Sequence, residues 1–223
     1  FFIGENSDVT IVAGCGIHND TCGNAEHDGV HTFYVGKNAK VRYIERHYAN
    51  GSGTGKKVFD PVTKICLKEN SQFILESTQL GGVTYTDRKT YATVGKNAQL
   101  LVKEKILTDG EEKAITDFKV KLTGKNSRAD IVSRSVAKGE SLQQFKSDMI
   151  GKNECFGHVE CDGIVLDGAR IISTPKIDAV SPEASLVHEA AVGKIAGEQL
   201  LKLMSLGLTE QEAEDAVIKG FLN

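Results

Sequence analysis

Gly36-Lys37-Asn38-Ala39, Gly95-Lys96-Asn97-Ala98 and Gly124-Lys125-Asn126-Ser127 are near copies of one four-residue corner. Three looser versions complete the series: Gly4-Glu5-Asn6-Ser7, Lys68-Glu69-Asn70-Ser71 and Gly151-Lys152-Asn153-Glu154. The six asparagines step by 32, 32, 27, 29 and 27 residues. A period of roughly 29 residues lies within the range of about 20 to 50 that marks solenoids and arrays, in which each repeat stacks on the next. Asn tolerates the left-handed backbone conformation and Gly adopts it without steric cost, so such a corner is a sound place to reverse the chain.

Between corners the chain reads as strand. Phe33-Tyr34-Val35 leads to Lys40-Val41-Arg42-Tyr43-Ile44-Glu45, and Gln99-Leu100-Leu101-Val102 leads to Ala114-Ile115-Thr116-Asp117-Phe118-Lys119-Val120. Val, Ile, Tyr and Phe recur with partial period-two alternation between Gly, Asn, Asp and Ser. Each period therefore holds about two strands, and stacked coils of this kind make an all-β solenoid. Ordinary hairpin turns in a β-sandwich are the alternative, against which the regularity of the corners argues.

The chain of 223 residues predicts one large domain with a small appendage and is long enough to bury a sizeable core. Three prolines, no tryptophan and 23 glycines suit a strand-rich protein. A net charge of -3, with lysines interleaved among acids, offers no footprint for nucleic acid. No apolar run approaches the length of about 20 residues needed to cross a bilayer, so no membrane partner is expected. Starting at Phe1 without methionine or secretory pattern, the chain reads as processed or trimmed. Five cysteines do not suggest a disulfide framework, and a reducing, cytoplasmic setting is expected.

The pattern changes after Gly193, which divides a β-solenoid over residues 1–193 from a helical segment over 194–223. Leu200, Leu203 and Met204 share one helical face, with Gly207 as C-cap. Thr209-Glu210-Gln211-Glu212 forms a capping box ahead of Ala213, Ala216, Val217 and Phe221. Two short helices are thus expected to close the solenoid, covering strand edges, docking a partner, or both.

Two regions could carry chemistry. Cys15, His18, Cys22, His27 and His31 supply enough soft and borderline ligands for zinc or iron, although their spacing matches no standard zinc pattern. Glu160-Cys161-Asp162 is followed 27 and 28 residues after Cys161 by His188 and Glu189. That offset nearly equals the period, so these positions are expected on adjacent coils about 4.8 Å apart. Cys, Glu and His can coordinate iron, and a thiolate can carry sulfane sulfur. The plainer reading makes Cys161 a small core hydrophobe and leaves Glu189 in solvent. His188 and Glu189 cannot both face Cys161 along a regular strand without a bulge or chain end.

The stretches Glu160-Cys161-Asp162-Gly163-Ile164-Val165-Leu166-Asp167, Ala184-Ser185-Leu186-Val187-His188-Glu189-Ala190-Ala191-Val192-Gly193-Lys194-Ile195 and Glu198-Gln199-Leu200 closely resemble the C-terminal core of the SufB/SufD family of iron–sulfur cluster assembly proteins. Gly207-Leu208-Thr209-Glu210-Gln211-Glu212-Ala213 and Gly220-Phe221 fit the family's terminal helices, and the likeness continues upstream through Ile131-Val132-Ser133 and Val12-Ala13-Gly14-Cys15. The resemblance implies a right-handed parallel β-helix with a small C-terminal α-helical cap, acting as a scaffold of the SUF system and not as an enzyme. It implies that Cys15 receives sulfur, which passes through the β-helix interior to a terminal thiol at Cys161, with His27 along the route. Glu189 and His188 are then implied as iron ligands beside Cys161, His188 across a dimer interface. The implied partners are a sulfur-donor protein, a second SufB/SufD-like subunit forming a homo- or heterodimer, and the ATPase SufC, docked on the terminal helices. The implied cargo is a nascent iron–sulfur cluster. The chain has no Gly-x-x-x-x-Gly-Lys-Ser/Thr loop, so ATP is expected to act only through the partner.

The chain departs from the family in lacking the N-terminal helical region of many relatives and in carrying both the Cys161/Glu189 pair of SufB and the histidine of SufD at His188. A single ancestral-type protein pairing with itself would account for the mixture. Two other classes stay open at this point: a metal-stabilised structural β-solenoid closed around Cys15, Cys22 and nearby histidines, and a carbohydrate-active β-helix enzyme. The 6% aromatic content and absence of tryptophan argue against the last.

Overall fold

The computed structural model describes residues 1–223 and contains seven stacked coils. β1 (Phe2–Ile3) and β2 (Asp8–His18) make the first coil. β3 (Ala25–His27), β4 (Val30–Val35) and β5 (Lys40–Asn50) make the second, and β6 (Lys57–Phe59), β7 (Val62–Leu67) and β8 (Gln72–Leu80) the third. The remaining coils are β9 (Tyr85–Val94) with β10 (Gln99–Thr108), β11 (Lys113–Leu122) with β12 (Ser127–Ala137), β13 (Leu142–Gly151) with β14 (Cys155–Val165), and β15 (Arg170–Ala179) with β16 (Ala184–Gly193).

Every strand pair is parallel and joins one coil to the next. The strands fall into two sheets. Sheet A runs β1-β4-β7-β9-β11-β13-β15, with β3 and β6 beside it, and sheet B runs β16-β14-β12-β10-β8-β5-β2. The fold is thus a parallel β-solenoid. Strict alternation of buried and exposed residues, as in Gln99–Thr108, is what one lumen-facing and one solvent-facing side require.

The asparagine corners lie where sheet A passes to sheet B. Asn6, Asn38, Asn70, Asn97 and Asn126 all have φ between 53° and 60°. Their side chains form a ladder in which each Nδ2 donates to the Oδ1 one coil earlier, at 3.0 to 3.2 Å. The sixth expected corner departs from this pattern. Asn153 does not adopt the left-handed conformation, its side chain instead accepts from the Glu154 N–H, and the ladder stops at Asn126. The opposite row of corners uses Gly110, Gly139 and Asp167 at positive φ.

The apolar core adjoins the asparagine corners. Phe33, Tyr43, Phe73, Leu75, Val102, Phe118, Ile131, Met149 and Val159 belong to one cluster of 24 buried residues. Burying each large apolar side chain contributes about 1.5–3 kcal/mol, the main force closing the coils.

Two helices follow, α1 (Gly197–Ser205) and α2 (Glu210–Leu222). The capping box is present: the Thr209 side chain accepts from the Glu212 N–H, and the Glu212 carboxylate accepts from the Thr209 N–H. The helices do not sit over the last coil as a lid. α2 packs on the flank, where Ile218 and Leu222 meet Val136 and Glu214 pairs with Lys138 at 2.8 Å. Val187 and Val192 of the last coil stay exposed, and α1 buries no residue. The flank wins because Leu107, Val136, Ile164 and Leu166 already form an apolar strip there.

Candidate functional site

The interior has a second, polar half, opposite the asparagine corners. It is built from the later residues of sheet B strands and the earlier residues of sheet A strands. In sheet B, Ala13, Glu45, Ser77, Glu104, Ser133, Cys161 and Ala190 stack in register along the axis. Two residues further along, Cys15, His47, Gln79, Ile106, Ser135, Gly163 and Val192 form a parallel row. Thr86, Arg88, Thr90, Thr116 and Gln143 face them from sheet A and are buried.

Near Cys15 the lining is ionic. Arg88 Nη1 binds Glu45 Oε2, and Arg88 Nη2 donates to His47 Nδ1 at 2.6 Å. The Tyr43 hydroxyl donates to Glu45 Oε1 at 3.0 Å and lies 2.6 Å from His31 Nδ1. Burial pushes the Glu45 carboxyl up, but Arg88 and hydrogen bonds from His31 and Tyr43 outweigh it and hold the group below the usual carboxylate range. Burial, and then Arg88, push His47 down to about 3, so the ring is neutral. Burial raises the Cys15 thiol, and the Glu45 charge adds to the rise. Cys15 packs against the small cluster of Ile17, Phe59 and Val83, and His27 lies tilted on Phe59 at 5.6 Å between centroids. The structure therefore places Cys15 and His27 at the same end of the interior.

Cys161 lies five coils further on, about 24 Å away at the spacing of parallel strands. It is 1% exposed and packs within the apolar cluster of 24 residues. Burial pushes its thiol up to about 11. Its in-register neighbour on β16 is Ala190, because the offset here is 29 residues rather than 27 or 28. His188 pairs with Val159 on the inner face. Glu189 pairs with Glu160 on the outer face, 68% exposed at its side chain. Cys161 and His188 thus share a face, and Glu189 does not join them; β16 runs without the bulge that convergence would need.

The cysteines and histidines of the first region do not converge either. His18 points outward to Asn50 and Asp20, and Cys22 is exposed on a loop. No three Cys, His, Asp or Glu side chains stand together as a metal site within one chain, and all five thiols are free. A closed site around Cys15 and Cys22 is therefore not what this geometry offers. What sequence reading missed is the buried set Glu45, His47, Arg88 and Glu104. Its signal was present in Val41-Arg42-Tyr43-Ile44-Glu45-Arg46-His47, where Glu45 and His47 share the parity of Val41 and Tyr43.

A polar lining is expensive. His47 Nε2, Gln79 Oε1, Arg88 Nε, Thr90 Oγ1 and Glu104 Oε1 make no hydrogen bond within the protein, although Arg88 Nε stands 3.8 Å from Glu104 Oε1, and a buried unsatisfied group costs about 1–3 kcal/mol. Replacing buried ion pairs by apolar groups of the same shape is often neutral or stabilising, so stability alone does not account for the polar half.

Comparison with known proteins agrees with this architecture. The model of the SUF system FeS cluster assembly SufBD core domain matches residues 2–221. An iron–sulfur cluster assembly SufBD family protein of Methanothermobacter thermautotrophicus is 35% identical over 98% of this chain and 53% of its own length. A SufBD family protein of Archaeoglobus fulgidus is 34% identical over 98% of this chain and 58% of its own. One of Pyrococcus horikoshii is 29% identical, with shares of 98% and 48%. The chain spans about half the length of the curated relatives it matches. Matched over nearly all its length, the chain belongs to the SufBD core-domain family of the SUF iron–sulfur cluster assembly system.

Proposed function

We propose that the chain is a scaffold subunit on which sulfur and iron are assembled into a nascent cluster. The cluster is cargo, and the chain is not itself an enzyme. The observation that carries the reading is that both thiols face the interior, Cys15 beside the ionic lining and Cys161 five coils away in the neighbouring row at the edge of the apolar cluster, with buried Glu45, Arg88, Glu104 and Ser133 in the coils between. In the first step the Cys15 thiolate takes the outer sulfur of a persulfide on a sulfur-donor protein, leaving the donor's thiolate behind. Cys161 is the terminal thiol. Its raised pKa means that iron or a base must draw off its proton before the sulfur can bind metal.

Ligands beyond Cys161 come from more than one face or chain. His188 shares the inner face with Cys161 and its buried Nε2 has no hydrogen-bond partner, so acting as a ligand across an interface with a second SufB/SufD-like subunit would require that end of the solenoid to open. The uncovered apolar face of α1, with Leu201, Met204 and Leu206 exposed, suits docking of a SufC-type ATPase, through which ATP would act in the cytoplasm.

The test is a sulfur-transfer map. The protein is loaded anaerobically from a persulfide donor, and sulfane sulfur is located by peptide mass spectrometry. Label at both Cys15 and Cys161 in the native chain, and none at Cys161 in Cys15→Ser, is the expected result. Equal labelling of Cys161 in both would remove Cys15 from the route.

A further inference from the structure

His47 is the inward neighbour of Cys15 on the next coil. The two are in register on β5 and β2, in one row of the inner face, about 4.8 Å apart along the axis. They also share an aromatic wall: Cys15 packs against the cluster that holds Phe59, and the His47 ring stacks on Phe59 at 4.7 Å between centroids. The His47 side chain has no exposed surface.

The partner of His47 fixes where its proton lies. A guanidinium only donates, so the 2.6 Å contact with Arg88 Nη2 makes Nδ1 the acceptor, and the neutral ring carries its proton at Nε2. That N–H makes no hydrogen bond. Glu45 Oε1 stands 3.7 Å from it, too far for one, and already accepts from the Tyr43 hydroxyl. A buried donor without an acceptor is costly, and the guanidinium behind the ring polarises this one further. The interior therefore keeps a strengthened donor one coil from the first thiol, and the chain supplies nothing to receive it.

Cys15 in its resting form is a poor acceptor. Burial, and then the Glu45 charge, favour the protonated thiol. A persulfide differs in length and in charge. Its S–S bond adds about 2 Å of reach to a side chain whose row continues one coil away, and its terminal sulfur carries the negative charge.

We infer that His47, with its tautomer set by Arg88, holds the terminal sulfur of a persulfide on Cys15 through a hydrogen bond from Nε2–H. The inference rests on Cys15 being the sulfur acceptor and names the group that retains what it accepts. Transfer balances as Cys15–SH with donor–S–S⁻ giving Cys15–S–S⁻ with donor–SH. The new S–S bond forms on Cys15 as the donor's S–S bond breaks, and the donor sulfur leaves with the bonding pair and takes up the Cys15 proton. His47 keeps its own proton throughout, so it binds the sulfur and is neither acid nor base.

The test loads the chain anaerobically with glutathione persulfide and follows sulfane sulfur at Cys15 by alkylation and peptide mass spectrometry during a challenge with dithiothreitol. Long-range proton–nitrogen spectra of the chain with isotope-labelled histidine report the His47 tautomer alongside. The expected result is a proton at Nε2 before loading, a downfield shift of that proton on loading, and no shift in Cys15→Ser. In His47→Phe, which keeps the stack on Phe59, sulfane should leave Cys15 at least about tenfold faster, as the loss of a hydrogen bond to a charged acceptor predicts. His47→Gln restores an N–H donor and should recover most of the lifetime, which packing alone would not explain. Sulfane on the exposed Cys22 should decay alike in every variant. A proton at Nδ1, an Nε2 proton unmoved by loading, or a native lifetime in folded His47→Phe would overturn the inference and leave Cys15 as the acceptor. A native chain that took up no sulfane at Cys15 would sink the sulfur route and the inference together.

Discussion

His188 and Glu189 are adjacent in sequence and face opposite sides of β16: His188 lies inward beside Val159, while Glu189 points outward to within 3.9 Å of His158. One peptide bond therefore separates a group that reaches the lumen from one that reaches solvent. The chain alone does not gather Cys161, His188 and Glu189 around one atom, so the proposed assembly on it would draw ligands from elsewhere.

Thiol reactivity should rank the cysteines by burial. Cys161 has its pKa pushed up to about 11, whereas Cys22 and Cys66 are exposed. Two units above the ordinary value of 9.0 lowers the thiolate fraction about 100-fold at pH 8, before steric shielding is counted. Alkylation followed by peptide mass spectrometry should find Cys161 at least 100-fold slower than Cys66. Comparable rates would mean that the coil opens or that Cys161 is not buried in solution.

Arg88 is the cation that holds Glu45 ionised in the interior. Arg88→Met should cost about 3–5 kcal/mol in urea unfolding, because it strands a buried carboxylate. The double variant Arg88→Met/Glu45→Gln should recover most of that loss. If the double variant were as unstable as the single one, packing and not charge would be the role of Arg88.

Acid should weaken the fold through His47. Its native pKa is about 3 against 6.5 unfolded, so the unfolded chain takes up a proton first as pH falls. Stability should drop by about 1.4 kcal/mol per pH unit from 6.5 down to 3 through this group. Glu45, held below its usual 4.5, adds to the loss in the same direction below that pH. Denaturant titrations of His47→Gln should show a slope reduced by about one proton between pH 6.5 and 4.5. An unchanged slope would contradict a neutral buried ring.

The asparagine ladder separates backbone from side-chain effects. Asn97→Gly keeps the left-handed turn but loses bonds to Asn70 and Asn126, whereas Asn97→Ala loses the same bonds and keeps a Cβ at φ 53° without the polar side chain that lets Asn tolerate it. Ala should be less stable than Gly by about 1–2 kcal/mol. Equal stabilities would show that the corner relaxes.

Much of this was legible in the sequence, and the limits have physical causes. The period was readable because Asn and Gly at the corners answer to local backbone strain, which does not depend on the rest of the fold. The capping box at Thr209 was readable for the same reason. Asn153 misled because the motif persists there without the left-handed conformation. The register at Cys161 was missed by one residue, since the coil length drifts between 27 and 32 and a slip of one exchanges the two faces of a strand. The flank position of α2 depends on an apolar strip drawn from three different coil corners, which no local pattern reveals.

The most direct measurement is anaerobic reconstitution with iron and sulfide in the presence of a SufC-type ATPase, followed by visible absorption. The native chain should develop a cluster chromophore, and Cys161→Ala, with its fold intact by circular dichroism, should not. An equal chromophore in both would contradict the account, returning Cys161 to the core as a packing residue.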